Sequence, residues 1–121
     1  MSVTASDFVG TWTGSGIYTK GAEEYVFDSV TMTITNSDGT LTGLDTDSDG
    51  DTHTQTGAVE SGLFTYTVAT DSSHPDCAGA AWNVIGTSSL DSSLNTMTVN
   101  WSGNFCDSLT PATITYTLTR S

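Results

Sequence analysis

An acidic turn carries the residue types and the spacing that could bind a metal ion. Carboxylates alternate through Asp45-Thr46-Asp47-Ser48-Asp49-Gly50-Asp51, the D-x-D-x-D-G pattern that opens a calcium loop. Calcium takes roughly six to eight oxygen ligands, and alternate carboxylates around a glycine can converge on it. We therefore consider a calcium site with Asp45, Asp47, Asp49 and Asp51 as ligands.

The calcium motif is incomplete. An EF-hand needs a bidentate Glu at the twelfth loop position, where this chain has Thr56, and the flanking residues alternate like strands rather than helices. Asp and Gly also favour turns for conformational reasons. Two interpretations stay open, a calcium-stabilised loop and a solvated hairpin turn.

The other reactive side chains do not make up a catalytic set. The two histidines, His53 and His74, stand in unrelated contexts, and neither a Cys-His nor a Ser-His-Asp arrangement follows from the spacing. Asp28, Asp45 and His53 could form an acid–base group where their strands end. Polar residues at the rim of a β-sheet, however, are more often simply solvated. We expect a non-enzymatic protein without catalytic residues.

The composition limits the partners of the protein. Its formal net charge is -12, with only Lys20 and Arg120 basic, and such a surface repels phosphate groups. We therefore do not expect nucleic acid as a partner. We also expect no insertion into a membrane, because no apolar run reaches 18 residues. The near absence of lysine suits an exported protein, although residues 1–7 carry no signal-peptide pattern.

Period-two alternation and regularly spaced turn residues predict an all-β single domain over residues 1–121. Eight strands are expected, roughly at 8–19, 25–35, 40–46, 52–59, 63–70, 80–90, 94–105 and 112–120. The first hairpin predicts three inward pairs: Trp12 with Met32, Gly14 with Val30, and Gly10 with Ile34. A turn at 36–39 then predicts two more: Leu41 with Ile34, and Gly43 with Met32.

The hairpin of strands 6 and 7 predicts a disulfide. A turn at Asp91-Ser92 sets three pairs opposite each other: Val84 with Val99, Trp82 with Trp101, and Cys77 with Cys106. Facing cysteines on an antiparallel pair can come within bridging distance, and a bridge would indicate an oxidising compartment. The alternative is two unrelated reduced thiols.

The last strand predicts closure of the sheet. Alternate residues of strand 8 are apolar, and Arg120 falls on that same face. An inward Arg needs a partner, which the ring of Trp12 can supply through a cation–π contact if strand 8 pairs with strand 1. Eight strands joined by successive hairpins and closed in this way form an antiparallel up-and-down β-barrel.

Gly10-x-Trp12 on the first strand together with Arg120 on the last resembles the signature of the calycin superfamily, the lipocalins and avidins. The stretch Asp38-Gly39-Thr40-Leu41-Thr42-Gly43 is similar to one in avidins, and the whole is similar to small bacterial lipocalin-like domains. The resemblance implies a barrel that holds a small molecule. The polar residues by which avidins hold biotin are not matched, because strand 1 has Gly14-Ser15-Gly16 instead.

Up-and-down order places the loops at 20–24, 46–52, 70–79 and 105–111 at one end of the barrel. Long loops commonly carry binding function, and aromatic walls with a few polar groups are typical of small-molecule pockets. We expect an extracellular or periplasmic barrel that binds a small, partly apolar molecule at this end. The candidate binding residues are Tyr18, Asp28, His53, Trp82 and Trp101.

The alternative function is structural. An eight-stranded barrel is only wide enough to be filled by side chains or to hold one small ligand. A plugged barrel would serve as an adhesive or assembly subunit through outward apolar residues, for which the candidates are Ile17, Tyr25, Phe27 and Ile85. The sequence leaves the oligomeric state and the ligand open.

Overall fold

The strands close on themselves in the computed structural model, which describes residues 3–48, 50, 52–70, 83–104 and 111–121. A one-turn helix, α1 (Ala5–Phe8), precedes the barrel. The strands are β1 (Gly10–Lys20), β2 (Glu23–Ser37), β3 (Thr40–Asp47), β4 (Thr52–Glu60), β5 (Leu63–Thr70), β6 (Asn83–Leu90), β7 (Thr96–Asn104) and β8 (Ala112–Arg120). Each pairs with its neighbours in sequence, and β8 returns to β1. The predicted eight-stranded antiparallel up-and-down barrel is confirmed.

Alternation of threonine with apolar residues builds the wall of the barrel. In β8 every second residue from Ala112 to Leu118 faces the interior and is at most 4% exposed, and the threonines between them face outward. The branched Cβ of threonine suits a pleated strand, and its hydroxyl keeps the outer face polar. No helix within the described residues is long and apolar enough to cross a membrane.

The barrel closes where Trp12 pairs with Arg120 across β1 and β8. The guanidinium carbon of Arg120 lies 4.2 Å from the centre of the Trp12 ring. The same guanidinium donates hydrogen bonds to the carbonyl oxygens of Asp7, Val9 and Leu94, at 2.7, 2.8 and 3.0 Å. The contact predicted between the two ends of the chain is therefore present, and it ties together three segments.

Helix α1 ends at Phe8, where the first strand was predicted to begin, and β1 begins at Gly10 instead. The backbone N–H of Thr4 donates to the Asp7 carboxylate at 2.8 Å, which helps to form this single turn. Phe8 is fully buried against the edge of the Phe64 ring, and its carbonyl accepts the indole N–H of Trp12 at 2.9 Å. One turn is too short to show a helical period in the sequence, so the pattern did not reveal it.

A β-bulge changes which residues of β2 face the interior. Gly14 lies opposite Val30 and Gly16 lies opposite Phe27, so β2 contains one extra residue between these pairs. The three predicted inward pairs before the bulge are confirmed. Beyond it the alternation is reversed, so that Phe27 is buried and Asp28 is exposed. The predictions of an inward Asp28 and an outward Phe27 are wrong for this reason.

The predicted register of β2 and β3 is wrong by two residues. Met32 lies opposite Asp45, and Ile34 lies opposite Gly43. The cause is a tight two-residue turn in which Asp38 and Gly39 both have positive φ, at 53° and 92°. An even shift keeps every side chain on its predicted face.

The predicted register of β6 and β7 is wrong by four residues. Val84 lies opposite Gly103, and Gly86 lies opposite Trp101. The turn is wider than predicted because the Asp91 carboxylate accepts hydrogen bonds from residues 93, 95 and 96. The register that placed Cys77 opposite Cys106 therefore does not hold within the described hairpin. Both cysteines and Trp82 lie outside the described residues, so the disulfide stays a prediction.

Glycines on the inner face bring neighbouring strands and large side chains close to the backbone. A Cβ at Gly57 would collide with the backbone carbonyl of Thr65, whereas one at Gly43 would meet the amide end of the Gln55 side chain. The half of the interior near the termini is filled by apolar side chains at most 1% exposed. They are Phe8, Trp12, Met32, Ile34, Leu41, Phe64, Met97 and Leu118.

Replacing Arg120 should open this end of the barrel. Arg120→Ala removes a cation–π contact worth about 0.5–2 kcal/mol and three charge-assisted hydrogen bonds. We expect a loss of at least about 2 kcal/mol in the free energy of unfolding. Lys20→Ala, the control that removes the other basic charge, should change it by less than about 1 kcal/mol. Urea denaturation of both variants measures the difference, and equal losses would contradict the closing role of Arg120.

The two glycine positions should respond differently to a methyl group. Gly57→Ala must displace backbone, which we expect to lower the free energy of unfolding by about 1–3 kcal/mol. Gly43→Ala meets only a side chain that can rotate away, so its loss should be smaller. Thermal denaturation compares the two, and a larger loss for Gly43→Ala would contradict the packing described here.

Candidate functional site

Buried polar side chains of β3 and β4 enter the interior toward the end opposite the termini, where apolar residues such as Val68 and Val84 are buried as well. The buried polar residues of the described chain are Asp45, Asp47, His53, Gln55 and Ser88. Strands β3 and β4 supply four of them, because their inward positions carry Asp and His or Gln where other strands carry apolar residues. The sheet therefore gathers carboxylates, an imidazole and an amide in one half of a narrow interior.

A hydrogen-bonded pair of Asp45 and His53 lies at the centre of this polar half. The two residues face each other across β3 and β4, the strands on either side of the acidic turn. The His53 Nδ1 and Asp45 Oδ1 atoms are 2.8 Å apart, and the two residues are 6% and 0% exposed. Burial raises the pKa of the Asp45 carboxyl, and the His53 hydrogen bond and charge oppose that rise.

Aromatic side chains form the floor beneath this pair. The Trp101 indole N–H donates to the Tyr66 hydroxyl at 3.1 Å, and that hydroxyl is 2.8 Å from the Ser88 hydroxyl. The ring of Trp101 lies edge-on to His53 and Tyr116, with centroids 5.3 and 5.2 Å away. Burial is the main cause that raises the pKa of both Tyr66 and Tyr116, so both phenols stay neutral.

Several buried polar atoms of the site have no hydrogen-bond partner among the described residues. They are Asp45 Oδ2, both amide atoms of Gln55, and the Tyr116 hydroxyl. Leaving such a group unpaired costs about 1–3 kcal/mol, so most buried polar groups in proteins are paired. Four unpaired atoms in one half of a barrel therefore mark a place where a ligand could bond.

A series of aromatic rings connects the rim to the polar half. We call Tyr25, Phe27, Tyr116 and Trp101 the aromatic ladder, because successive ring centroids are 5.2, 6.2 and 5.2 Å apart. Phe27 joins the ladder only because of the bulge in β2. Tyr18 lies beside Tyr25 at the rim, half-buried, and its partial burial is the main cause that raises its pKa.

The structure brings together only part of the predicted binding set. His53 and Trp101 are in edge-on contact in the interior, and Tyr18 lies at the rim. Asp28 lies on the outer surface, and Trp82 lies outside the described residues. Sequence analysis missed Gln55, although its inward position two residues after His53 was a usable signal.

The acidic stretch differs from the predicted calcium loop. Strand β3 continues to Asp47, so Asp45 and Asp47 are buried and face the interior rather than a turn. No group of three acidic, His or Cys side chains within the described ranges is placed to hold a metal ion. Asp49 and Asp51 lie outside those ranges.

A concavity lies on the outside of the barrel. It is an open groove of about 610 Å³ across β4 to β8, lined mainly by outward hydroxyl and amide side chains such as Thr65, Thr67, Asn100 and Thr115. Titratable groups and unpaired buried atoms lie in the interior instead. The interior is therefore the stronger candidate site.

Asp45 should give the protein a distinctive pH dependence. A carboxyl whose pKa is higher in the folded state binds its proton more tightly there, so stability falls as pH rises through the window between the unfolded and folded pKa values. The wild type should therefore become more stable as pH is lowered from neutral toward about 3.9, the pKa of an unperturbed aspartate. Asp45→Asn should reduce that gain, because asparagine does not titrate.

The control is Asp28→Asn, which removes the same charge from the outer surface. It should keep the pH dependence of the wild type, including the part that comes from general charge repulsion. Urea denaturation at several pH values measures the three slopes. A slope in Asp45→Asn equal to that in Asp28→Asn would contradict the elevated pKa of Asp45.

Comparison with known proteins identifies the fold alone. No protein-family model and no curated protein matches the chain. A protein of unknown function from the DUF3598 family of Nostoc punctiforme matches 99% of this chain, with a TM-score of 0.64 and 11% identity. A "putative outer membrane protein" from Bacteroides fragilis matches 98% of it, with a TM-score of 0.64 and 19% identity. The chain spans about half the length of these two structures, at 50% and 47%.

Proposed function

We propose that this protein is a non-enzymatic, calycin-like barrel that binds one small molecule in the polar half of its interior. The observation that carries the proposal is the Gln55 side chain, which is fully buried with both amide atoms unpaired. An amide that both donates and accepts hydrogen bonds suits a ligand with complementary groups. The aromatic ladder supplies the apolar contacts that small-molecule pockets usually have.

The contrast between the two halves of the interior supports binding over a plugged barrel. The half near the termini is apolar and filled, which is sufficient to stabilise a barrel of this size. The other half keeps carboxylates and an amide that a purely structural core would replace with apolar side chains. Groups that lower stability are commonly retained where function requires them.

The calycin-like assignment rests on the closing contact. Trp12 on the first strand and Arg120 on the last meet in the way that the resemblance implies. The proposed ligand enters at the end opposite this contact, where β1 ends and β2 begins. Residues at that end of the described wall, Tyr18 and Tyr25, would meet the ligand first.

We also propose an extracellular or periplasmic location and no partnership with nucleic acid or a membrane interior. The support is the net charge of -12, which repels nucleic acid, and the scarcity of lysine. The name of the Bacteroides fragilis structure agrees with a location in the cell envelope.

A structural role is the second candidate. Ile17 and Val26 pair on the outer face of β1 and β2 and are 43% and 57% exposed. Neighbouring exposed apolar side chains of this kind can form a contact between subunits. This surface would serve an assembly subunit and does not exclude a ligand inside the barrel.

Replacing Gln55 separates the two functions. Gln55→Leu removes two unpaired buried atoms at similar volume, so we expect the free energy of unfolding to rise by about 1–3 kcal/mol. It should also abolish binding of any small molecule that native mass spectrometry detects on protein purified from its own host. Asn100→Leu, an amide replaced on the outer face, should leave the bound ligand in place.

Two results would contradict the proposed function. One is a protein that carries no small molecule and whose tryptophan fluorescence responds to no member of a fragment library. The other is a carried ligand that Gln55→Leu and Asn100→Leu retain equally. A concentration-dependent dimer that Ile17→Ser dissociates would instead support the assembly role.

A further inference from the structure

We infer that the ligand of this site is a small organic cation, a protonated amine whose apolar part lies along the aromatic ladder. This inference rests on the proposed binding function and names the class of ligand. It depends on the charge and the chemistry of the described residues.

The site has buried acidic groups, and one of them, Asp45, has an oxygen that no described side chain pairs. Asp45 and Asp47 both face the interior and are 0% and 6% exposed. Asp45 Oδ1 accepts a hydrogen bond from His53, and Asp45 Oδ2 has no partner among the described residues. A buried carboxylate needs a hydrogen-bond donor or a positive charge, and an ammonium group supplies both.

The chain has little positive charge of its own to offer. Lys20 and Arg120 are its only basic residues besides two histidines. Arg120 is committed to three carbonyl oxygens at the opposite end of the barrel. Lys20 ends β1 at the rim, across from Glu23. A positive ligand would therefore complement the interior, and the net charge of -12 would attract it from solution.

The aromatic walls favour an organic cation over a metal ion. Trp101 and Tyr116 contact each other edge-on, and Trp101 lies 5.3 Å from His53, which is bonded to Asp45. Aromatic rings attract ammonium groups and pack against alkyl carbon, but they offer no oxygen ligand to calcium. The described residues also lack a metal-binding group of three side chains.

The remaining polar atoms suit an ammonium with a small polar tail. The Gln55 amide lies over Gly43, two residues from Asp45 along the same inward face of β3. Its unpaired carbonyl can accept a second N–H of the ammonium, as can the unpaired Tyr116 hydroxyl oxygen. Since an eight-stranded barrel can hold at most one small ligand, the ligand must be small.

Three probes of one shape test the charge requirement. Butylammonium, 1-butanol and butyrate share a four-carbon chain and differ in charge. We expect butylammonium to bind saturably by calorimetry and to change the fluorescence of Trp101, 1-butanol to bind at least about tenfold more weakly, and butyrate not to bind. Calcium chloride, titrated separately, should not displace butylammonium.

Single-residue variants test where butylammonium binds. Asp45→Asn should weaken butylammonium binding at least about tenfold and leave 1-butanol binding unchanged, and Asp28→Asn should change neither. Asp47→Asn gives a second test if Asp45→Asn does not fold, as circular dichroism would show. Equal loss of both probes in the interior variants would indicate structural damage and would overturn the inference.

The outcomes distinguish this inference from the proposed function. If 1-butanol binds as tightly as butylammonium, or if a carried ligand proves to be neutral or anionic, the organic cation is wrong and small-molecule binding stands. If calcium competes for the site, the ligand is a metal ion. If no probe binds and the protein carries nothing, both the inference and the proposed function fail.

Discussion

The contact between Trp12 and Arg120 is the interaction on which the rest of the structure depends. It joins the first and last strands, so the sheet has no free edge and encloses an interior. Arg120 also holds α1 and the turn before β7 against the same end through carbonyl oxygens. A closed end fixes the position of every inward side chain above it. The polar half can exist only because the opposite half is firmly built.

Alternation along the strands predicted the fold and the closing contact but not the register. A period of two decides which face a side chain occupies, and it is insensitive to even shifts between strands. Met32 and Trp101 therefore face inward as predicted but have other partners than predicted. Met32 lies opposite Asp45, and Trp101 lies opposite Gly86. The turns decided these shifts, through positive φ at Asp38 and through a carboxylate that organises the wider turn at Asp91.

The candidate site was only partly predictable because it depends on local irregularities. The bulge in β2 exchanged Asp28 for Phe27 on the inner face, and one extra residue cannot be read from composition. Pairing across the acidic turn places Asp45 opposite His53. Gln55 could have been predicted by following the same alternation from His53 to the next inward residue of β4. The sequence does not show that the Gln55 amide has no partner among the described side chains.

The two halves of the barrel differ in how completely they pair their buried polar groups, and this contrast argues for function in one of them. Near the termini, the Trp12 indole N–H donates a hydrogen bond to the Phe8 carbonyl, and the Arg120 guanidinium donates to three carbonyls. The fold is therefore able to satisfy buried donors with good geometry. At the other end, Asp45 and Gln55 keep unpaired atoms although apolar residues would fit the same positions. Since the same chain pairs its polar groups where only stability is at stake, the unpaired ones are best explained by a partner that is not part of the chain.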